Sequence, residues 1–216
     1  MQGGAAGEGT DAWRAIKAVW ASKWTERAFL NRRSAGIPEA DLSMAVLCMA
    51  LLPADYAFVL HTRSPVAEST DIFGEVVVGL GETLVGNAPG RAFSFSAPRN
   101  GGAPETLALP SKLHAHTAPA PGEPPLLIAR SDSNGEDLEG FAGAGLYESV
   151  TTQATGVRAV EYAHERLLWD DGFRAGLAAR LAALAEAVEA SAGSPQDIEG
   201  CVVGEDIYLL QSRAQV

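Results

Sequence analysis

A short apolar run, Leu126-Leu127-Ile128, leads directly into Ala129-Arg130-Ser131-Asp132-Ser133-Asn134-Gly135-Glu136-Asp137 and on through Leu138 to Gly145. The run reads as a short buried strand that delivers one arginine into a polar, glycine-rich loop. A guanidinium is a rigid planar fork of donors suited to phosphate or carboxylate. The small residues after it let backbone N–H groups approach an anion closely. Ser-Asp-Ser-Asn-Gly also suits an ordinary surface turn, so the loop alone leaves both readings open.

The rest of the chain supplies strands and two long helical patterns. Residues Asp11 to about Ala35 read as one helix, capped by Asp11 and ended by Gly36, with Trp13, Ile16, Trp20 and Trp24 on one face. Large aromatics at helical spacing are expected in the core rather than as a sugar-stacking platform. Met44 to Leu51 and Tyr56 to Thr62 read as strands, and the short Leu52-Pro53-Ala54-Asp55 link predicts a hairpin. Ile72 to Leu80 is a further strand, interrupted by Glu75, whose charge must face solvent, a cation or a ligand. Arg91 to Ser96 is another. Residues 98–125, rich in Pro, Ala and Gly, read as a flexible connection in which Lys112, His114 and His116 are solvated.

Leu146 to Val150 and Val157 to Tyr162 read as short strands. From Trp169 a helix capped by Asp170 or Asp171 carries Phe173, Leu177, Leu181, Leu184 and Val188 on one face and ends at Gly193. Asp197 to Val203 and Ile207 to Arg213 close the chain as two β-prone runs. The fold class expected is α+β, a mainly antiparallel sheet with two long helices. No repeat of fixed period occurs.

With 216 residues, 47% of them hydrophobic, the chain can bury a real core. The net charge of −11 argues against a nucleic-acid or membrane partner. Cys48 and Cys201 lack metal-ligand spacing and read as reduced, buried thiols. No run approaches a membrane span, and residues 1–10, read as a disordered N-terminus, resemble neither a secretory signal nor a transit peptide.

Side chains alternate along strands, so Asp197 and Glu199 share a face, as do Gln211 and Arg213. If Gly204, Glu205 and Asp206 form a three-residue loop, Glu199 faces Gln211 and Asp197 faces Arg213. A carboxylate and an amide oxygen are hard ligands suited to Mg²⁺, and an arginine beside them suits phosphate. A plain surface salt bridge between Asp197 and Arg213 is the competing reading. The Walker phosphate loop, the nucleophile elbow and the dinucleotide fingerprint are all missing.

The segments RSDSNGEDLEGFAGAGLYESV, ADYAFVLHTRSP, EVVVGLGETLVGNAPGRAFSF, PQDIEG and LLQSRAQV resemble the C-terminal nucleotide-binding domain of the alpha-glucan water dikinases. The resemblance runs from about Trp13 to Val216, and its broader pattern is similar to pyruvate phosphate dikinase and phosphoenolpyruvate synthase. It implies an ATP-grasp-like domain that holds ATP and Mg²⁺ between two lobes. By motif, Arg130 would bind ATP phosphates, Glu199 and Gln211 would hold Mg²⁺, and Arg213 would contact phosphate. Beside these, Glu136 and Asp137 are candidates to orient the loop or a second metal, and Glu75 and Glu82 are either lining residues or solvated strand ends. The β-phosphate would pass to a phosphohistidine domain outside this chain and then to an alpha-glucan bound elsewhere, in a plastid.

Two departures stand out. The family strand AVLVQE is here Ala45-Val46-Leu47-Cys48-Met49-Ala50, without the polar pair. The chain also begins inside the family's domain, and none of His61, His114, His116 or His164 lies in a phosphohistidine motif. The expected organisation is therefore an incomplete domain: residues 11–97 as its first part, 98–125 as the connection and 126–216 as the part carrying the ATP and Mg²⁺ site. The alternatives are a truncated, non-catalytic nucleotide-binding or interaction module, and the ATP-binding domain of a pyruvate- or phosphoenolpyruvate-linked dikinase.

Overall fold

The computed structural model describes residues 8–65, 69–86, 88–99, 101–119, 126–136 and 145–215. Residues 1–7 of the expected disordered N-terminus lie outside the described residues. In chain order the elements are α1 (Glu8–Ala21), a 3-10 turn (Ser22–Trp24), α2 (Glu26–Ser34), a second 3-10 turn (Glu39–Asp41), β1 (Met44–Ala50), β2 (Tyr56–His61), β3 (Ile72–Val78) and α3 (Glu82–Val85). They continue with β4 (Phe93–Ala97), β5 (Glu105–Ala108), β6 (His114–Thr117), β7 (Leu127–Ser133), β8 (Val150–Thr151), β9 (Gly156–Ala159), α4 (Arg166–Trp169), α5 (Asp171–Ala192), β10 (Gln196–Val203) and β11 (Asp206–Ala214). Every strand pairing among the described residues is antiparallel, so the chain is α+β with mainly antiparallel sheets. It divides into two units, one of residues 1–52 and 119–155, the other of residues 53–118 and 156–215.

In the first unit, β1, β7 and β8 form a three-stranded sheet in the order β1-β7-β8. Helix α1 lies on it through Ala15 and Val19, which pack with Ala129, Met44, Val46 and Val150. The tryptophans expected in the core are instead at the surface, Trp13 51%, Trp20 37% and Trp24 62% exposed. At about 100° per residue, Ala15 stands nearly opposite Trp13 on the helix. The small and β-branched stripe lets the helix lie close to the sheet, and the indoles are left outside. The expected single helix also begins earlier, at Glu8, and breaks at Thr25, whose extended backbone and hydroxyl cap α2 by accepting from the Ala28 N–H.

In the second unit, six strands form one sheet in the order β11-β10-β2-β3-β4-β5. Helix α5 covers one face, and Leu177, Leu181 and Ala185 pack with Phe58, Leu60, Val76, Phe95 and Ile198. The helix keeps its expected ends: Asp170 accepts from the Phe173 N–H at 2.8 Å, and Gly193 closes it with φ of 74°.

The hairpin expected between β1 and β2 does not form. β1 pairs with β7, while β2 pairs with β3 and β10. The link is drawn away by Asp55, whose N–H donates to the Val202 carbonyl and whose carbonyl accepts from the Gly79 N–H. The stretch 98–125, read as a flexible connection, carries β5 and β6 in its described part. It is anchored by buried Lys112, whose ammonium donates to the Ala88 carbonyl, and by the Ser111 N–H on the Arg91 carbonyl. No helix of the described residues is long and apolar enough to cross a membrane.

Candidate functional site

The β10–β11 hairpin decides which side chains meet. Its turn is two residues long rather than three: Val203 pairs with Asp206 and Val202 with Ile207, and Gly204 takes the left-handed φ of 60° that a tight turn requires. Without correction, that register would set Glu199 opposite Leu210. A β-bulge between Glu199 and Gly200 takes up one residue of β11, so that Gly200 pairs with Leu209 and Glu199 with Gln211. The expected pairs, Glu199 with Gln211 and Asp197 with Arg213, are thus present, reached by a bulge instead of a longer loop. Gly200 also has no room for a side chain, since a Cβ there would lie 2.2 Å from the Phe58 ring.

Ile198 and Gly200 point to the α5 face, so Asp197, Glu199 and Cys201 lie on the opposite face of the sheet, where Asp197 and Glu199 are partly exposed and Cys201 is buried. Two cross-strand rows run over that face. One is Arg213, Asp197, His61 and Phe73; the other is Gln211, Glu199, Val59 and Glu75. Arg213 donates to one Asp197 oxygen through Nε at 3.0 Å and Nη2 at 2.8 Å. The salt bridge and the clustering of site residues are therefore one arrangement. Glu75 sits two strands from Glu199, about 10 Å by strand spacing. Cys201 is buried, and burial pushes its thiol up to about 11, so it is no nucleophile at neutral pH.

The pair Glu199 and Gln211 offers one carboxylate and one amide oxygen. Among the described residues there is no group of three His, Cys, Asp or Glu placed to hold a metal ion. Two hard oxygen ligands fit Mg²⁺, which keeps waters and phosphate oxygens in its octahedron, better than Zn²⁺ or Ca²⁺. The His114-x-His116 pair takes no part in such a group: His114 is exposed on β6, while the His116 ring has its Nδ1 3.4 Å from the Thr83 hydroxyl. Glu82, at the start of α3, lies 3.9 Å from His116.

In the first unit, Arg130 occupies the middle of β7 opposite Leu47. Its neighbour Ala129 packs toward α1, so Arg130 projects from the other face, beside exposed Leu47. The following loop is held by its own side chains. Ser131 donates to Glu136 at 2.8 Å, and the Gly135 N–H donates to the Ser133 hydroxyl at 3.1 Å. Asn134 accepts from the Ser43 N–H at 2.9 Å and donates to the Asp41 carbonyl at 2.8 Å, extending the β1 side of the sheet as a strand residue would. Gly135 is held so closely that a Cβ would lie 2.8 Å from Leu42 and 2.9 Å from the Tyr147 hydroxyl. Glu136 is thereby tied to the loop through Ser131. Asp137 lies outside the described residues.

Residues 6–96 match the pyruvate phosphate dikinase AMP/ATP-binding domain. The chloroplastic alpha-glucan water dikinase of Solanum tuberosum is 45% identical over 210 residues, which cover 95% of this chain and 14% of that protein. Alpha-glucan water dikinase 2 of Arabidopsis thaliana is 45% identical over 208 residues, 95% of this chain and 16% of that protein. A probable phosphoenolpyruvate synthase of Archaeoglobus fulgidus is 26% identical over 198 residues, 92% of this chain and 22% of that protein.

The chain is related to the ATP-binding domain of the dikinases.

It spans about one-seventh of the length of the Solanum dikinase. The dikinase-domain match stops at residue 96, before Arg130 and the β10–β11 hairpin. Asp197 and His61 were not among the site residues expected from sequence, though both stand in the hairpin's first row. For Asp197 the signal was present, because strand alternation had already placed it opposite Arg213. His61 became visible only when β2 proved to lie against β10 instead of β1.

Proposed function

We propose that this chain is the ATP-binding portion of an alpha-glucan water dikinase, with an ATP-grasp-like architecture. The observation that carries the reading is the pairing of Glu199 with Gln211 and Asp197 with Arg213 on the face of β10 and β11 that points away from α5, in a chain 45% identical to such enzymes. Glu199 and Gln211 hold Mg²⁺, Arg213 and Arg130 each contact ATP phosphates, and Glu136 orients the loop after Arg130. Asp137 serves that loop or a second metal. Bound Mg²⁺ would neutralise phosphate charge. In the full-length protein, ATP supplies its β-phosphate to a phosphohistidine domain outside this chain, which passes it to an alpha-glucan acceptor bound elsewhere, in a plastid. The higher identity to the glucan enzymes than to the phosphoenolpyruvate synthase favours the glucan acceptor.

Calorimetric titration of the chain with Mg·ATP tests the reading. Binding that weakens at least tenfold in Glu199→Gln, about 1.4 kcal/mol, and that depends on Mg²⁺ is the expected result. Equal affinity in the variant removes Glu199 from the metal site. A second reading, a non-catalytic module, is favoured by Met49 and Ala50 on β1, which stand in place of the family's Gln-Glu pair and offer no polar side chain. No heat at millimolar nucleotide would decide for it.

A further inference from the structure

We propose that His61 is a positioning residue that fixes Arg213 through Asp197, an inference resting on the phosphate role given to Arg213 above. Arg213, Asp197, His61 and Phe73 are consecutive in one row across β11, β10, β2 and β3. Asp197 gives one oxygen, Oδ2, to the Nε and Nη2 of Arg213. Its other oxygen, Oδ1, lies 3.7 Å from His61 Nδ1. Both of these atoms are buried, and neither has a hydrogen-bond partner. A buried carboxylate oxygen and a buried ring nitrogen left unpaired are both costly, and here each is the other's nearest remedy.

Closing the gap needs a movement of roughly 0.7 Å. Phe73 stands on the far side of the imidazole, ring centroids 6.1 Å apart and planes 30° from parallel, so the ring is backed against a wall and directed at Asp197. With Nδ1–H donated to Oδ1, both carboxylate oxygens are engaged on opposite sides. The carboxylate then has one orientation, and the guanidinium plane it holds has one as well. A carboxylate bound on one oxygen only could rotate and take Arg213 with it. His61 touches no substrate in this scheme; it acts by holding the group that holds Arg213.

Two variants separate this role from packing. His61→Phe keeps the ring beside Phe73 and loses the N–H; His61→Asn keeps an N–H near the place of Nδ1 and loses the ring. In the nucleotide-free chain, the Arg213 Nε–H resonance should be sharp and slowly exchanging in the parent and in His61→Asn, and broadened in His61→Phe. Mg·ATP should bind about tenfold more weakly to His61→Phe and within about threefold of the parent to His61→Asn. AMP, lacking the β- and γ-phosphates, should bind all three alike. An unchanged Nε–H signal in His61→Phe, or equal losses in both variants, overturns the proposal. Absence of Mg·ATP binding by the parent chain removes the nucleotide reading instead, while the Nε–H comparison still decides the role of His61.

Discussion

Cys48 and Cys201 have the same side chain and opposite surroundings. Cys201 lies buried in β10, where burial moves its thiol from an ordinary 9.0 up to about 11. A thiol whose value in the fold lies above its unfolded value stabilises the fold fully at pH below the unfolded value, and that contribution is lost as pH rises toward about 11. Urea midpoints should therefore fall between about pH 9 and pH 11, and Cys201→Ala should flatten that part of the curve. Cys48 is exposed on β1, which corrects the expectation that both thiols are buried. At neutral pH a thiol reagent should label Cys48 at once and Cys201 only after unfolding; rapid labelling of both would contradict the burial of Cys201. Sequence could not tell the two apart, because each sits in an apolar strand-like run and exposure depends on what covers that strand.

At the scale of elements, the hairpin holds the most information. Alternation along β10 and β11 made Asp197, Glu199, Gln211 and Arg213 legible as one group, and the bulge restores the parity that the two-residue turn shifts. The turn itself was not legible. Gly204-Glu205-Asp206 suits two or three residues equally, and the extra residue expected in the loop lies four positions further on as the bulge at Leu210. Deleting Leu210 should remove the bulge and leave Glu199 opposite Gln211, with the interstrand NOE between their α-protons retained. Loss of that NOE would mean that the bulge, rather than the strand register, holds the pair. The tryptophan stripe of α1 failed for a related reason. A helix with indoles on one side and Ala15, Val19 and Ser22 on the other is amphipathic by bulk, and the three-stranded sheet takes the thinner side. Helix α5, with a stripe of leucines and a cap at each end, left no such choice.

For the whole molecule, the informative fact is the order in which distant segments join. Antiparallel α+β architecture followed from many short strands and few helices. The partners of β2 did not, because pairing of residues 56–61 with residues 197–202 is a long-range contact that no local pattern encodes. In the second unit β10 stands between β2 and β11 and contributes Ile198 and Val202 to the core. A chain ending at residue 195 should lose cooperative unfolding and strand signal in circular dichroism, and should associate through the bare edge of β2. A soluble product with an unchanged melting temperature would refute this. The same arrangement bears on synthesis by the ribosome. Strands β2 to β5 emerge early and can form a meander, but its hydrophobic face and one whole flank stay uncovered while α5 and the following residues are still being translated. The nascent protein thus carries a sticky, half-built sheet until residues 196–214 emerge, and chaperone dependence in this unit should track that interval rather than chain length.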